Sequence, residues 1–279
     1  MALVAEVPKP AIEAPGRGAA AAAEPAAVQL DPQTFPDGGC VALPPRGPRS
    51  AGTVVLDAGH GGPDPGAEGT TPDGRTVPEK ELTLAVALAA ADRLREQGTT
   101  VVLTRSTDAL GSDVDVDDGA LTTAASQEDL EARVRCANLA DAAALVAVHF
   151  NSFDDTTVGG TETLYEPDRA LAPRSRALAQ SLQSAIRGRL SELGRPPVDR
   201  GVVDDSSGGE SGGGHLVLLG PRVPGYIDEP STMPAALIEP LFITNPADLS
   251  AVASPGGTAA LGDAVASGIT EYLDGARLR

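Results

Sequence analysis

The sequence predicts one α/β domain: a twisted, mostly parallel sheet of about six strands with helices on both faces. Three observations carry that expectation. Short runs such as VVLDA, TVVL, ALVAV and AALIE are apolar at successive positions, as strands covered on both sides are. Longer stretches of helical composition separate these runs, and Gly and Pro punctuate the joins.

Residues 1–50 are rich in Ala, Pro and Gly with little periodicity and read as a flexible tail, which leaves residues 51–279 as the domain. Val54 to Gly62, VVLDAGHGG, is a strand that runs straight into a glycine-rich loop. Glu79 to Gly98 reads as a helix. Pro78 suits its start, Leu82, Val86, Ala89 and Arg93 step along one side, and Gly98 suits its stop. Thr99 to Arg105 is the next strand, and an acidic loop leads to a helix around Leu130 to Ala140. Ala143 to Ser152 is a third strand carrying His149 at its end, and Gly159 to Glu166 is a fourth. A long helix covers Ala172 to Leu193, followed by a Gly-, Ser- and Asp-rich run from Asp204 to Gly214 that reads as a mobile loop. HLVLLG and AALIEP are two further short strands, ahead of a last helix over Thr258 to Leu273.

With 21 basic against 39 acidic residues, the formal charge is -18, which argues against nucleic acid, whose phosphates need clustered Lys and Arg. The same charge disfavours adsorption to anionic membranes. No apolar run is long enough to span a bilayer, and the opening MALVAEVPKP lacks the basic start and unbroken apolar stretch of a signal peptide. An exported form would therefore carry its signal outside this sequence. Cys40 and Cys136 admit two readings: separate thiols in a reducing compartment, or one disulfide that ties the tail to the domain in an oxidising one. A monomer is expected.

Ligands in open parallel sheets sit beyond the carboxyl ends of the strands. His60, Arg105, His149 and Glu239 all fall at or just past such ends. The chain has only three histidines, His60, His149 and His215, and the first two close strands that could be neighbours. Zinc accepts imidazole nitrogen and carboxylate oxygen, and a catalytic site keeps three protein ligands and one open position. Two histidines then need a carboxylate, and spacing alone does not choose one.

VVLDAGHGGPDPGAEG, PEKELTL, LEARVRCAN, AALVAVHFNS and MPAALIEPLFITNPAD follow one another in the order seen in zinc-dependent N-acetylmuramoyl-L-alanine amidases, which this chain resembles over about four-fifths of its length. The resemblance implies that His60, Glu79 and His149 bind Zn2+ and that Glu239 is the catalytic acid/base. It also implies an extracytoplasmic hydrolase that cleaves the amide between N-acetylmuramic acid and L-alanine, in polymeric peptidoglycan or in muropeptides. Glu81 lies in the same first turn as Glu79, but the two point about 200° apart, so only one can face a metal. Arg105 and Arg133 match basic positions of the family; one of them is a candidate contact for stem-peptide carboxylates, while structural salt bridges are the more common fate of such residues. Asn151 and Ser152 follow His149 and become candidates for the cleft floor. Asp57 is a candidate for orienting a ligand from behind.

The sequence departs from the pattern at Pro240, where the family often has a small polar residue, which puts the positioning of Glu239 in question. Two other functions remain open at this point. One is a non-catalytic peptidoglycan-binding or regulatory protein on the same fold. The other is a zinc carboxypeptidase acting on wall peptides.

Overall fold

Val28–Gln29 (β1) and Gly39–Leu43 (β2) pair antiparallel within the segment expected as tail. The computed structural model describes residues 25–48, 52–205, 214–254 and 256–277. Residues 1–24 of the tail expected over 1–50, and residues 206–213 of the loop expected over Asp204 to Gly214, lie outside these. Residues 28–43 join the domain because GCVAL is apolar enough to be buried, with Cys40 and Val41 sealed inside. A disulfide from Cys40 to Cys136, with Cα atoms 5.5 Å apart, pins the strand to the body.

Thr53–Ala58 (β3) follows, then a small hairpin of Glu68–Thr70 (β4) and Thr76–Pro78 (β5). Glu79–Glu96 forms α1 and Thr100–Arg105 forms β6. A second minor hairpin, Val116–Asp117 (β7) with Ala120–Leu121 (β8), precedes Thr123–Leu139 (α2). This helix starts earlier than its apolar pattern suggests, because the Thr122 hydroxyl accepts a hydrogen bond from Ala125 N–H and caps it. Ala144–Val148 (β9), Thr161–Tyr165 (β10), Ala172–Glu192 (α3), Asp199–Asp204 (β11) and Ala235–Glu239 (β12) come next. Pro246–Val252 (α4) and Gly257–Arg277 (α5) close the chain.

The sheet has eight strands in the order β1-β2-β6-β3-β9-β12-β10-β11. It is mixed. Its centre, β6-β3-β9-β12, is parallel, while β2 and β10 run antiparallel to their inner neighbours. Alternation along each central strand feeds two cores. Val54, Leu56 and Ala58 pack with α1, α3 and α5 on one face. Val55, Leu145 and Ala147 pack with α2 and with residues 217–233 on the other.

HLVLLG is not a strand. Val217, Leu218 and Leu219 are buried in an irregular segment over the second face. An apolar run of that length cannot distinguish a strand from a buried loop. The place beside β10 belongs instead to β11, whose polar sequence DRGVVD carries little strand signal. Among the described residues, no helix is long and apolar enough to cross a membrane.

Candidate metal centre

Because β3, β9 and β12 run parallel as neighbours, their carboxyl ends emerge at one edge of the sheet. His60 lies in the loop after β3, His149 directly follows β9, and Glu239 is the last residue of β12. Glu79 reaches the same place from the first turn of α1, where a carboxylate also complements the helix dipole.

His60 Nε2 stands 3.2 Å from Glu79 Oε1, and His149 Nδ1 stands 3.2 Å from the same oxygen. The two imidazoles meet edge to face with centroids 4.9 Å apart. Glu79 is buried and held by backbone. Its Oε2 accepts from Ala67 N–H at 3.0 Å and its Oε1 from Phe150 N–H at 2.8 Å. Burial alone would raise its pKa, but the hydrogen bonds with His149 and His60 prevail and keep it ionised well below the usual carboxylate range. Glu81 faces outward toward Arg75.

The loop that presents His60 is strained and tightly supported. His60 itself has φ 61, a left-handed conformation that costs a non-glycine residue about 1–2 kcal/mol and is tolerated where surroundings enforce it. Those surroundings are two buried arginines. Arg105 donates to the carbonyls of Ala58 and Gly59, and Arg133 to the carbonyls of Ala58 and His60. Arg133 also pairs with Asp57 at 3.0 Å and Asp129 at 2.7 Å. Of the two fates open to Arg105 and Arg133, contact with substrate carboxylates or structural bonding, these bonds are the structural one. Arg105 gives its donors to the carbonyls of Ala58, Gly59, Thr107 and Lys80 and to Thr83 Oγ1, and Arg133, which also lines the cleft, gives its own to the loop's carbonyls and to buried acids, so both support His60. Asp57 is likewise engaged by Arg133 and Thr104.

The residue that orients His60 is Asp64, whose Oδ2 lies 2.8 Å from His60 Nδ1. Burial disfavours the His60 imidazolium, but Asp64 and Glu79 outweigh it and raise its pKa to about 10. With Nδ1 bound to Asp64, Nε2 is the atom left for a ligand. The signal was present in GHGGPDPG, an acid four residues past the histidine. Two glycines keep the space clear. A Cβ on Gly59 would lie 2.3 Å from the His149 ring. One on Gly66 would lie 2.7 Å from His60 and 2.8 Å from Glu79.

Glu239 closes the site. The residue is half-buried, yet its Oε2 is sealed and has no hydrogen-bond partner among the described residues. Burial pushes its pKa well above the ordinary carboxyl value; Glu79 and Glu162 push the same way, and His60 opposes them. Pro240 does not disturb it, since β12 has ended there and the Pro240 carbonyl accepts from Thr161 Oγ1 at 2.7 Å. A cleft of about 580 Å³ opens in front, lined by His60, His149, Glu239, Asn151, Phe153, Arg200 and Phe242 among others. Asn151 lies in its wall and donates to Glu162. Ser152 is exposed and outside that wall, which corrects its expected place on the cleft floor.

Two imidazole nitrogens facing one carboxylate oxygen at 3.2 Å suit zinc, because donors about 2.0–2.1 Å from a tetrahedral ion stand about 3.3 Å apart. The fold and site define an α/β domain with a candidate metal-binding cluster at the carboxyl edge of its sheet. A family profile described as N-acetylmuramoyl-L-alanine amidase matches residues 54–271, and the chain belongs to that family of enzymes. It is 32% identical to the protein YqiI of Bacillus subtilis over 222 residues, covering 80% of this chain and 85% of that one. It is 28% identical to the germination-specific N-acetylmuramoyl-L-alanine amidase of the same organism over 227 residues, 81% of each chain. The crystal structure of an N-acetylmuramoyl-L-alanine amidase from Clostridium difficile 630 superposes with a TM-score of 0.58 at 28% identity, covering 81% of this chain and 98% of that one.

Proposed function

We propose that this chain is a zinc-dependent amidase that hydrolyses the amide between the lactyl group of N-acetylmuramic acid and the L-alanine of the stem peptide in peptidoglycan. The observation that carries this reading is the unpartnered, buried Oε2 of Glu239 beside the His60–Glu79–His149 cluster. His60, Glu79 and His149 would hold zinc, which would polarise the scissile carbonyl and make water acidic enough to attack near neutral pH. Glu239, ionised but with high proton affinity, accepts the proton of the attacking water and passes it to the departing alanine nitrogen. Asp64 keeps Nδ1 of His60 protonated, and Arg105 and Arg133 hold the loop that carries the ring. The cleft's aliphatic walls and its polar groups, Asn151, Glu162 and Arg200, suit a sugar–peptide junction. The Cys40–Cys136 disulfide fits an oxidising, extracytoplasmic location. We expect a monomer acting without nucleic acid.

The test is mass analysis of products from a defined muramyl tripeptide, with and without a chelator. Free tripeptide plus the reducing sugar supports the amidase. Shortened peptides would make it a carboxypeptidase, and binding without turnover would make it a regulatory protein. Glu239→Gln is expected to retain zinc and to lose about 10²–10⁴-fold in rate; an unchanged rate would refute the assigned role.

A further inference from the structure

Among the described residues, a second group of acidic and imidazole side chains, Glu166, Asp205 and His215, lies close enough to share one ion. It is separate from the first. Glu166 directly follows β10, four residues after the cleft's Glu162, about 13 Å at the rise of a strand. Its assembly follows from register: Tyr165 faces Asp204 in the parallel pair of β10 and β11, so the next residues, Glu166 and Asp205, emerge side by side.

The orientation of the acids is what marks a site. Each carboxylate gives one oxygen to the backbone. Glu166 Oε1 accepts from Asp168 N–H, and Asp205 Oδ2 accepts from Leu216 N–H at 3.1 Å. The other two oxygens turn toward His215 Nδ1, Glu166 Oε2 at 2.6 Å and Asp205 Oδ1 at 3.7 Å. Those separations bracket the spacing of about 3.3 Å expected for donors on one tetrahedral ion. Both acids are buried, with side chains 1% and 0% exposed, and Asp205 Oδ1 has no hydrogen-bond partner among the described residues. One imidazole offers at most a single positive charge against two buried carboxylates, and an uncompensated buried charge is costly. The nearby Arg169 does not close the deficit by contact. Its guanidinium donates to the Leu219 carbonyl and to the hydroxyl and carbonyl of Ser231.

We propose that Glu166, Asp205 and His215 form a second divalent-cation site, of zinc-like coordination, that fastens the segment bearing Leu216, Val217 and Leu218 to the ends of β10 and β11. Those three residues line the cleft, so the ion acts as a clip for the cleft wall, apart from the reacting centre. The donor set, one nitrogen and two carboxylate oxygens, leaves one position for water.

The test measures zinc per chain after equilibration with Zn2+ and removal of free metal. Wild type is expected to hold two ions, Asp205→Asn one, the double variant His60→Ala/His149→Ala one, and the combination none. Folding of each variant is checked by circular dichroism; if Asp205→Asn does not fold, His215→Ala takes its place. As a second readout, Zn2+ should raise the Tm of the His60→Ala/His149→Ala protein, and should not do so once Asp205→Asn is added. A wild type with one ion, lost with His60 and His149, would overturn the second site and leave the first intact. Two ions that survive Asp205→Asn would overturn it as well, and an ion lost with Asp205 but not with His60 would instead sink the first centre.

Discussion

Glu162 of β10 stands directly opposite Glu239 of β12 in the antiparallel ladder, so the sheet sets two carboxylates side by side in the cleft. Glu162 is anchored by Arg200 at 2.8 Å and Asn151 at 2.5 Å, and Arg200 in turn lies over the Phe242 ring at 5.0 Å. Glu239 Oε2 has no partner among the described residues, and the charge across the ladder adds to its proton affinity.

Replacing that charge should be visible in the pH profile. In the proposed mechanism Glu239 accepts a proton and must be ionised, so its raised pKa is expected to set an acidic limb above the ordinary carboxyl range. Glu162→Gln removes a cause of the upward shift, and the limb of kcat/KM should move to lower pH. A cross-strand like-charge pair is worth up to about 1 kcal/mol, which corresponds to about 0.7 of a pH unit. A limb that moves upward would contradict the arrangement.

Asp64 should govern zinc affinity through His60. Asp64→Ala removes the acceptor 2.8 Å from Nδ1 and frees the ring to rotate and change tautomer. Competition with a calibrated chelator is expected to show about 10–100-fold weaker zinc binding, with most activity recovered at saturating metal. If affinity were unchanged, Asp64 would have no role in orienting the ligand.

Stability should depend on the buried pair of Asp57 and Arg133. Burial alone would raise the Asp57 pKa, but Arg133, Thr104 and His149 outweigh it and hold it below the ordinary value. A folded pKa below the unfolded one means that the contribution is complete above about pH 4 and is lost as the pH falls through the folded value. Asp57→Ala leaves Arg133 with Asp129 alone. Breaking a buried pair costs about 3–5 kcal/mol, and the remaining Asp129 argues for the lower end. Denaturant melts at pH 7 and at pH 3 check both statements: the variant should lose more at neutral pH than in acid.

The Cys40–Cys136 disulfide should matter for stability and little for turnover. It joins residues 96 apart, and the chain-entropy model gives about 4.7 kcal/mol for a loop of that size. Cys40→Ser/Cys136→Ser is expected to lower the Tm while keeping kcat at temperatures where the protein remains folded. Equal melting curves with and without reductant would show that β2 is held by its pairing with β6 alone.

The central strands were legible because aliphatic runs buried on both faces write their environment into every position. The α1 helix was legible from Pro78, Gly98 and its apolar spacing. The two histidines could be picked out as strand-end residues, and Glu79 and Glu239 through resemblance to a family. The strands β1 and β11 escaped notice because they are short or polar, β2 because its apolar run sits inside an Ala-, Pro- and Gly-rich segment, and HLVLLG misled because its burial comes from packing over a sheet face rather than from pairing.

What the sequence determined by itself was local: which segments pair or coil, and which residue types stand at the strand ends. Tertiary structure decided the assignments that depend on residues far apart in the chain. Arg105 and Arg133, open in the sequence between substrate contact and structural bonding, became supports of the His60 loop because carbonyls 47 and 75 residues away fold against them. Asp64 took the orienting role expected of Asp57, and Glu162 came to face Glu239, through loop conformation and ladder register. Periodicity reports how a residue meets its chain neighbours, whereas a buried charge is defined by whichever distant groups the fold brings to it.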